Sequence, residues 1–82
     1  MPDLDMKLIE TLTDEIKPVL AGHPASVQGA VLADLLAIWL AGHVIPSDDV
    51  ETAKFREDLL QSHLAIVRKL IPVNAELIGT TP

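Results

Sequence analysis

The segment from Ala30 to Ala41 constrains the fold more than any other part of this chain. It holds one polar side chain, Asp34, and the only tryptophan, Trp39. At helical spacing its large side chains cover an arc of roughly 200°, and alanines together with Asp34 occupy the remaining sector. One neighbouring helix is too narrow to cover such an arc. We therefore expect this segment to form a helix that packs against neighbours on two sides.

Stop and start signals separate this segment from a preceding helix. Gly22 is expected to supply the left-handed residue after helix one, and Pro24 suits the first turn of helix two. Gly42 stands in the same Leu-Ala-Gly-His setting and is expected to close helix two with the same chemistry. Pro18 is expected to kink the last turn of helix one. The first two helices are predicted over about residues 3–21 and 24–42.

A third helix is predicted over about residues 48–71. Either Ser47 or Asp48 is expected to be its N-cap, and Glu51 stands at capping-box spacing from Asp48. Pro72 is expected to end the helix, because proline disfavours helical backbone at the residue before it. The remainder, residues 72–82, is predicted to be a short irregular tail.

Three amphipathic helices joined by short connections predict an all-α fold, a three-helix up-down-up bundle. The 82 residues are expected to form a single domain, residues 1–82, near the size at which one chain barely buries enough surface for stability. The mean hydropathy is positive, at +0.35. We therefore expect a homodimeric helical bundle that buries the surplus apolar surface. The residues expected at that interface are Leu32, Leu36, Trp39, Leu40, Leu60 and Leu64.

Charge and composition argue against several classes of partner. The net charge of −6 and the pI near 4.7 make nucleic acid and anionic membrane surfaces poor partners. Asp34 in the middle of the most apolar run argues against a membrane span. The chain has no cysteine, which excludes disulfides and thiol chemistry and is typical of a cytoplasmic protein.

The three histidines do not predict a metal site, and no cofactor is expected. His23, His43 and His63 are spaced evenly by 20 residues. In the predicted bundle, however, His23 and His43 lie at opposite ends of helix two, about 30 Å apart. We interpret these two as helix C-terminal residues that complement the helix dipole. His63 is expected on the apolar half of helix three, as a neutral imidazole bonded to a backbone carbonyl.

A ligand pocket between helices is the alternative for the polar residues on the apolar half of helix three. Trp39, Arg56 and His63 would line it, with Thr52 as a further candidate, and Arg56 would hold a carboxylate. Otherwise Arg56 extends its charged end out to water. Asp34 is expected in solvent, or else paired with His63 or Arg56. No catalytic residue is predicted, because no activated nucleophile accompanies these groups.

The leading functional hypothesis is a non-catalytic interaction or structural module that binds itself, or a helix of another protein, through its apolar faces. The first alternative is a small-molecule-binding protein or minor enzyme that uses the pocket just described. The second is an acidic regulatory partner of a basic protein. That partner would need an exposed acidic face, formed either by Glu10, Asp14 and Glu15 or by Asp48, Asp49 and Glu51.

Overall fold

Three α-helices and their connections make up the part of the chain that the computed structural model describes, residues 4–81. The helices are α1 (Met6–Leu20), α2 (Ala25–Ala41) and α3 (Asp49–Ile78). They account for 79% of the described residues, and no strand occurs among those residues. The predicted all-α class is therefore confirmed. The predicted start of helix one at residue 3 and the end of the tail at Pro82 lie outside the described residues.

The chain divides into two compact units, and the boundary lies inside α2, between Asp34 and Leu35. The first unit contains α1 and the first half of α2. Asp5 caps α1, since its carboxylate accepts a hydrogen bond from the backbone N–H of Leu8 at 2.9 Å. The helix then runs through Pro18 without a break. Pro18 has no N–H to donate to the carbonyl of Asp14, so the helix forgoes one backbone bond there.

The turn after α1 has the predicted chemistry. Gly22 adopts a left-handed φ of +83°, which costs a glycine little because it has no Cβ. The carbonyl of Pro24 accepts from the backbone N–H of Gln28 at 3.0 Å and so begins α2. The side chain of Gln28 reaches back, and its Nε2 donates to the carbonyl of Leu20 at 2.8 Å. A side chain of α2 thus satisfies an end carbonyl of α1 that the helix leaves unpaired.

The second unit contains the remainder of α2, the connection at residues 42–48 and α3. Of the two predicted candidates, Asp48 is the N-cap of α3, and its carboxylate accepts from the backbone N–H of Glu51 at 3.0 Å. Gly42, in contrast, is absent from the glycines with positive φ. The prediction that it closes α2 in the manner of Gly22 is therefore wrong. The backbone N–H groups of Gly42 and His43 donate to the carbonyls of Ile38 and Leu40, and side chains bond further carbonyls at this end.

The predicted end of helix three at residue 71 is also wrong, because α3 continues through Pro72 to Ile78. The tail predicted at residues 72–82 is therefore helical for most of its length. Pro72 has no N–H to donate within the helix, yet the helical backbone continues for six residues beyond it. The helix ends at Gly79, whose φ is +78° and whose N–H reaches the carbonyl of Glu76. A left-handed glycine is a stronger stop than proline here.

Burial is low in both units. Thr52, 8% exposed, is the only buried side chain among the described residues, and no large apolar side chain is buried. The half-buried leucines are Leu20 in α1, Leu36 and Leu40 in α2, and Leu59, Leu60 and Leu64 in α3. The other large apolar side chains of the described helices are exposed to solvent.

Candidate functional site

Four aromatic and imidazole rings meet where the end of α2 approaches the first half of α3. We call Trp39, His43, Phe55 and His63 the Trp39 cluster. Trp39 lies in the last turn of α2, and His43 follows that helix by two residues. Phe55 and His63 are eight residues apart on α3, so they lie on the same side of the helix. Two of the rings thus come from the end of α2 and the residues just after it, and the other two come from one side of α3.

The centre of the Trp39 cluster is the indole ring itself. Its centroid lies 4.6 Å from the imidazole of His43 and 4.6 Å from that of His63, with interplanar angles of 68° and 60°. The ring of Phe55 lies 5.7 Å from His43 at 79°. These distances and tilted or edge-on angles are those at which aromatic rings attract one another. Even so, Trp39 remains 42% exposed, so the cluster has one face open to solvent.

The two imidazoles of the cluster have the same hydrogen-bonding arrangement. Nδ1 of His43 lies 2.7 Å from the carbonyl oxygen of Trp39, and Nδ1 of His63 lies 3.0 Å from that of Leu59. A carbonyl oxygen can only accept, so each Nδ1 carries the proton that it donates. In the neutral ring, Nε2 is then the unprotonated nitrogen. His63 bonds a backbone carbonyl, as predicted. His43 bonds a carbonyl in the last turn of α2, and its role toward the helix dipole stays a prediction.

Arg56 closes the C-terminus of α2. Its Nε donates to the carbonyl of His43 at 3.0 Å, and its Nη2 donates to the carbonyl of Ala41 at 2.8 Å. Carbonyls at this helix end have no partner within the helix and carry the negative end of its dipole, so a guanidinium is well matched to them. Arg56 thus uses these two donors on backbone rather than on a carboxylate, and it replaces the cap that Gly42 was expected to supply.

Thr52 fixes the connection that leads into α3. Its Oγ1 accepts from the backbone N–H of Ile45 at 2.9 Å and donates to the carbonyl of the same residue at 3.1 Å. One hydroxyl therefore satisfies both backbone groups of Ile45, as a neighbouring strand would. Thr52 and Arg56 are one turn apart on α3. Thr52 bonds Ile45 and Arg56 bonds His43, so the two side chains hold the residues on either side of Val44.

The residues predicted for a ligand pocket come together only in part. Trp39 and His63 are in contact, whereas the described cavity that includes Arg56 contains neither of them. That cavity has a volume of about 480 Å³ and lies along the connection between α2 and α3. Its lining residues are Val44, Ile45, Pro46, Ser47, Asp49, Thr52, Ala53 and Arg56. A pocket shared by all three predicted residues stays a prediction.

The residues predicted for an interface differ in exposure. Leu32 is 53% exposed and Trp39 is 42% exposed. The other four are half-buried, namely Leu36, Leu40, Leu60 and Leu64. None of the six is fully covered in the single chain, so each has apolar surface that an assembly could bury.

The other predicted polar residues lie on the surface. His23 and Asp34 are both exposed, in agreement with the expectation that Asp34 lies in solvent. Among residues 4–81, no group of three or more histidine, aspartate and glutamate side chains could hold a metal ion. Within that same range, no helix has both the length and the apolar character needed to cross a bilayer.

Comparison with known proteins adds no relative. The chain matches no protein-family model, no curated protein and no solved structure. The class that fold and site define is a small all-helical protein with a half-open cluster of aromatic and imidazole rings beside an arginine-capped helix end.

Replacement of His63 by alanine tests whether the Trp39 cluster contributes to stability. His63→Ala removes a ring 4.6 Å from Trp39 together with the bond to Leu59. We expect a loss of about 1–2 kcal/mol in the free energy of unfolding. The measurement is urea unfolding followed by circular dichroism. His63→Phe is the matched control, because it keeps a ring beside Trp39 and should lose less. Equal stability of the alanine variant and the parent chain would contradict the contribution of this ring.

Proposed function

We propose that this protein is a non-catalytic helical module that assembles as a homodimer through its apolar helix faces. In this proposal the three helices form an up-down-up bundle, and two copies bury against each other the surface that one copy leaves open. The observation that carries the proposal is the absence of any buried large apolar side chain among residues 4–81 of the single chain.

Ordering the chain on folding has a large cost in conformational entropy. Fixing the backbone of one residue costs about 1–2 kcal/mol, and burial of apolar surface is the main term that offsets this cost. In the single chain, Leu32, Val31, Ile38 and other large side chains of α2 keep 38–61% of their surface in water. A helix with this apolar surface in water gains little of the burial energy it needs. Assembly supplies the missing burial.

The exposed area agrees with this reasoning. The chain exposes 7089 Å². A folded monomer of 8.8 kDa exposes about 4,800 Å² by the usual scaling with mass. The excess of roughly 2,300 Å² is larger than the ~800 Å² that each partner buries in an interface of standard size. It is of the order found in permanent homodimers, whose interfaces resemble a domain core.

The mass of the protein in solution tests this proposal. Size-exclusion chromatography with light scattering should give twice the chain mass of 8.8 kDa at micromolar concentration. Because folding is then coupled to association, the melting temperature should fall on hundredfold dilution. A monomer that melts cooperatively at a temperature independent of concentration would refute self-association. A monomer without cooperative melting would instead favour the alternative in which a different protein covers the apolar faces.

A further inference from the structure

The second half of α3, residues 64–78, is rich in exposed apolar side chains, namely Ile66, Val67, Leu70, Ile71, Val73, Leu77 and Ile78. It continues past Pro72 into the segment that the sequence predicts to be a short irregular tail. Ile71 is 60% exposed and Ile78 is 73% exposed. The charged residues in this half are confined to Arg68, Lys69 and Glu76.

The spacing of the side chains along this half is that of a coiled-coil seam. Leu64, Val67, Ile71, Asn74 and Ile78 follow one another at intervals of three, four, three and four residues. This is the alternation of a and d positions in a heptad repeat, with Leu64, Ile71 and Ile78 at a. Of the flanking e and g positions, Leu70, Ala75 and Leu77 are apolar and Arg68 is charged. Lys69 and Glu76 take the outer f position, and Pro72 takes the outer b position.

The seam positions form an open groove. A cavity of about 380 Å³ runs along this part of α3 and is lined by Val67, Leu70, Ile71, Asn74, Ala75, Ile78 and Thr80. Thr80 follows the end of the helix, and the six helical residues are all at an a, d, e or g position. The groove therefore lies on the face that the heptad spacing selects. The spacing comes from the sequence and the groove from the structure, and the two agree.

We infer that this groove receives the same segment of a second copy, in a parallel and in-register arrangement about a twofold axis. This inference rests on the proposed self-association and names its surface. The excess exposed area described above exceeds the needs of a standard interface, so a second copy of this chain is a sufficient occupant. With its groove filled by its own counterpart, each chain covers apolar side chains that are otherwise exposed.

Asn74 determines the orientation. Its Nδ2 donates to the carbonyl of Leu70 at 2.9 Å, so its Oδ1 and its second N–H are the groups that need a further partner. When these groups are buried against apolar side chains, they lose their hydrogen bonds to water, which is costly. In a parallel, in-register pair, d positions face d positions, so Asn74 meets Asn74 of the second copy and the two amides can bond each other. In an antiparallel pair a positions face d positions, and each Asn74 would meet an apolar a position such as Ile71. The parallel arrangement is the one that satisfies both amides.

Cysteine cross-linking tests the seam directly, because the chain has no cysteine of its own. Ile78→Cys should form a disulfide-linked dimer rapidly under mild oxidation, since the two a positions face each other. Lys69→Cys, at the outer f position, is the matched control and should not cross-link at that rate. A mixture of Val67→Cys and Ile78→Cys chains reports the antiparallel pair, in which those two positions meet.

A charge in the seam provides a second measurement. Asn74→Asp places two carboxylates against each other in the parallel pair, and like charges brought together in an interface cost several kcal/mol. We expect the dimer dissociation constant to rise by about tenfold or more. Ala65→Asp adds the same charge at the exposed outer b position and should change the constant little. Circular dichroism of both variants verifies that the helices remain.

The outcomes separate this inference from the proposal on which it rests. Ile78→Cys cross-linking together with weakened association of Asn74→Asp supports the parallel seam. Cross-linking only in the Val67→Cys and Ile78→Cys mixture overturns the parallel orientation. A wild-type dimer that no seam cysteine cross-links overturns the inference and leaves self-association intact. A wild-type monomer refutes self-association and the seam together.

Discussion

The Leu36→Asp variant is expected to lose cooperative unfolding at concentrations where the parent chain is folded. Leu36 lies in the large apolar arc of α2 and is half-buried already in the single chain. A carboxylate there has no hydrogen-bonding partner, and burial of an unpaired charge is among the few changes that destabilise by about 3 kcal/mol or more. A domain of this size rarely has more than about 3–5 kcal/mol of stability in total. Thermal melting followed by circular dichroism measures the loss.

The matched control for Leu36→Asp is a charge on the other side of the same helix. Ala37 is exposed and belongs to the sector that contains alanines and Asp34. Ala37→Asp should therefore melt close to the parent chain, since its carboxylate remains in water. If the two variants melted alike, the division of α2 into a packing arc and an alanine sector would be incorrect. Light scattering of both variants separates loss of folding from loss of association.

The parts of the fold that the sequence predicts are those that local chemistry decides. Asp48 caps α3 because its short carboxylate reaches the N–H three residues on, whatever the remainder of the chain does. Gly22 turns the chain because a left-handed backbone conformation has a low free-energy cost only for a residue without a Cβ. The three helices likewise follow from the spacing of apolar residues along each segment.

The features that the sequence does not predict depend on residues distant in the chain. The expectation that Gly42 closes α2 fails because Arg56, fourteen residues later, donates to the carbonyls of Ala41 and His43. The end of α3 is a different case, because two stop signals compete. Pro72 forfeits one backbone bond, whereas Gly79 allows the final N–H groups to return to the carbonyls of Ala75 and Glu76. Nothing in the local pattern ranks these two signals.

The candidate site also combines contacts that local spacing predicts with contacts that depend on residues distant in the chain. The expectation that His63 bonds a backbone carbonyl is confirmed, because the Leu59 carbonyl is one helical turn away on the same segment. The contact of His43 with Trp39 and Phe55 was not foreseen. It arises from the path of the connection after α2, which Thr52 and Arg56 determine. A histidine read only as a helix cap can therefore belong to a ring cluster when a second helix returns beside it.

Thr52→Val is expected to destabilise the protein by about 1–3 kcal/mol, although valine has nearly the shape of threonine. Thr52 is the only buried side chain among the described residues, and its hydroxyl bonds both the N–H and the carbonyl of Ile45. Valine would leave the N–H of Ile45 without a partner beside an apolar methyl, whereas the carbonyl of Ile45 keeps the bond from the backbone N–H of Asp48 at 3.2 Å. The cost is that of one unsatisfied backbone N–H and one lost hydrogen bond rather than of lost packing, and urea unfolding measures it.

Thr52→Ser separates the hydroxyl from the methyl group in this effect. Serine keeps an oxygen that can accept from and donate to Ile45, and it loses one methyl, which is worth about 1 kcal/mol when buried. If the hydrogen bonds dominate, the serine variant should be more stable than the valine variant. The opposite order would mean that Thr52 acts through packing. The connection between α2 and α3 would then owe its conformation to Arg56, whose two bonds to the end of α2 remain in both variants.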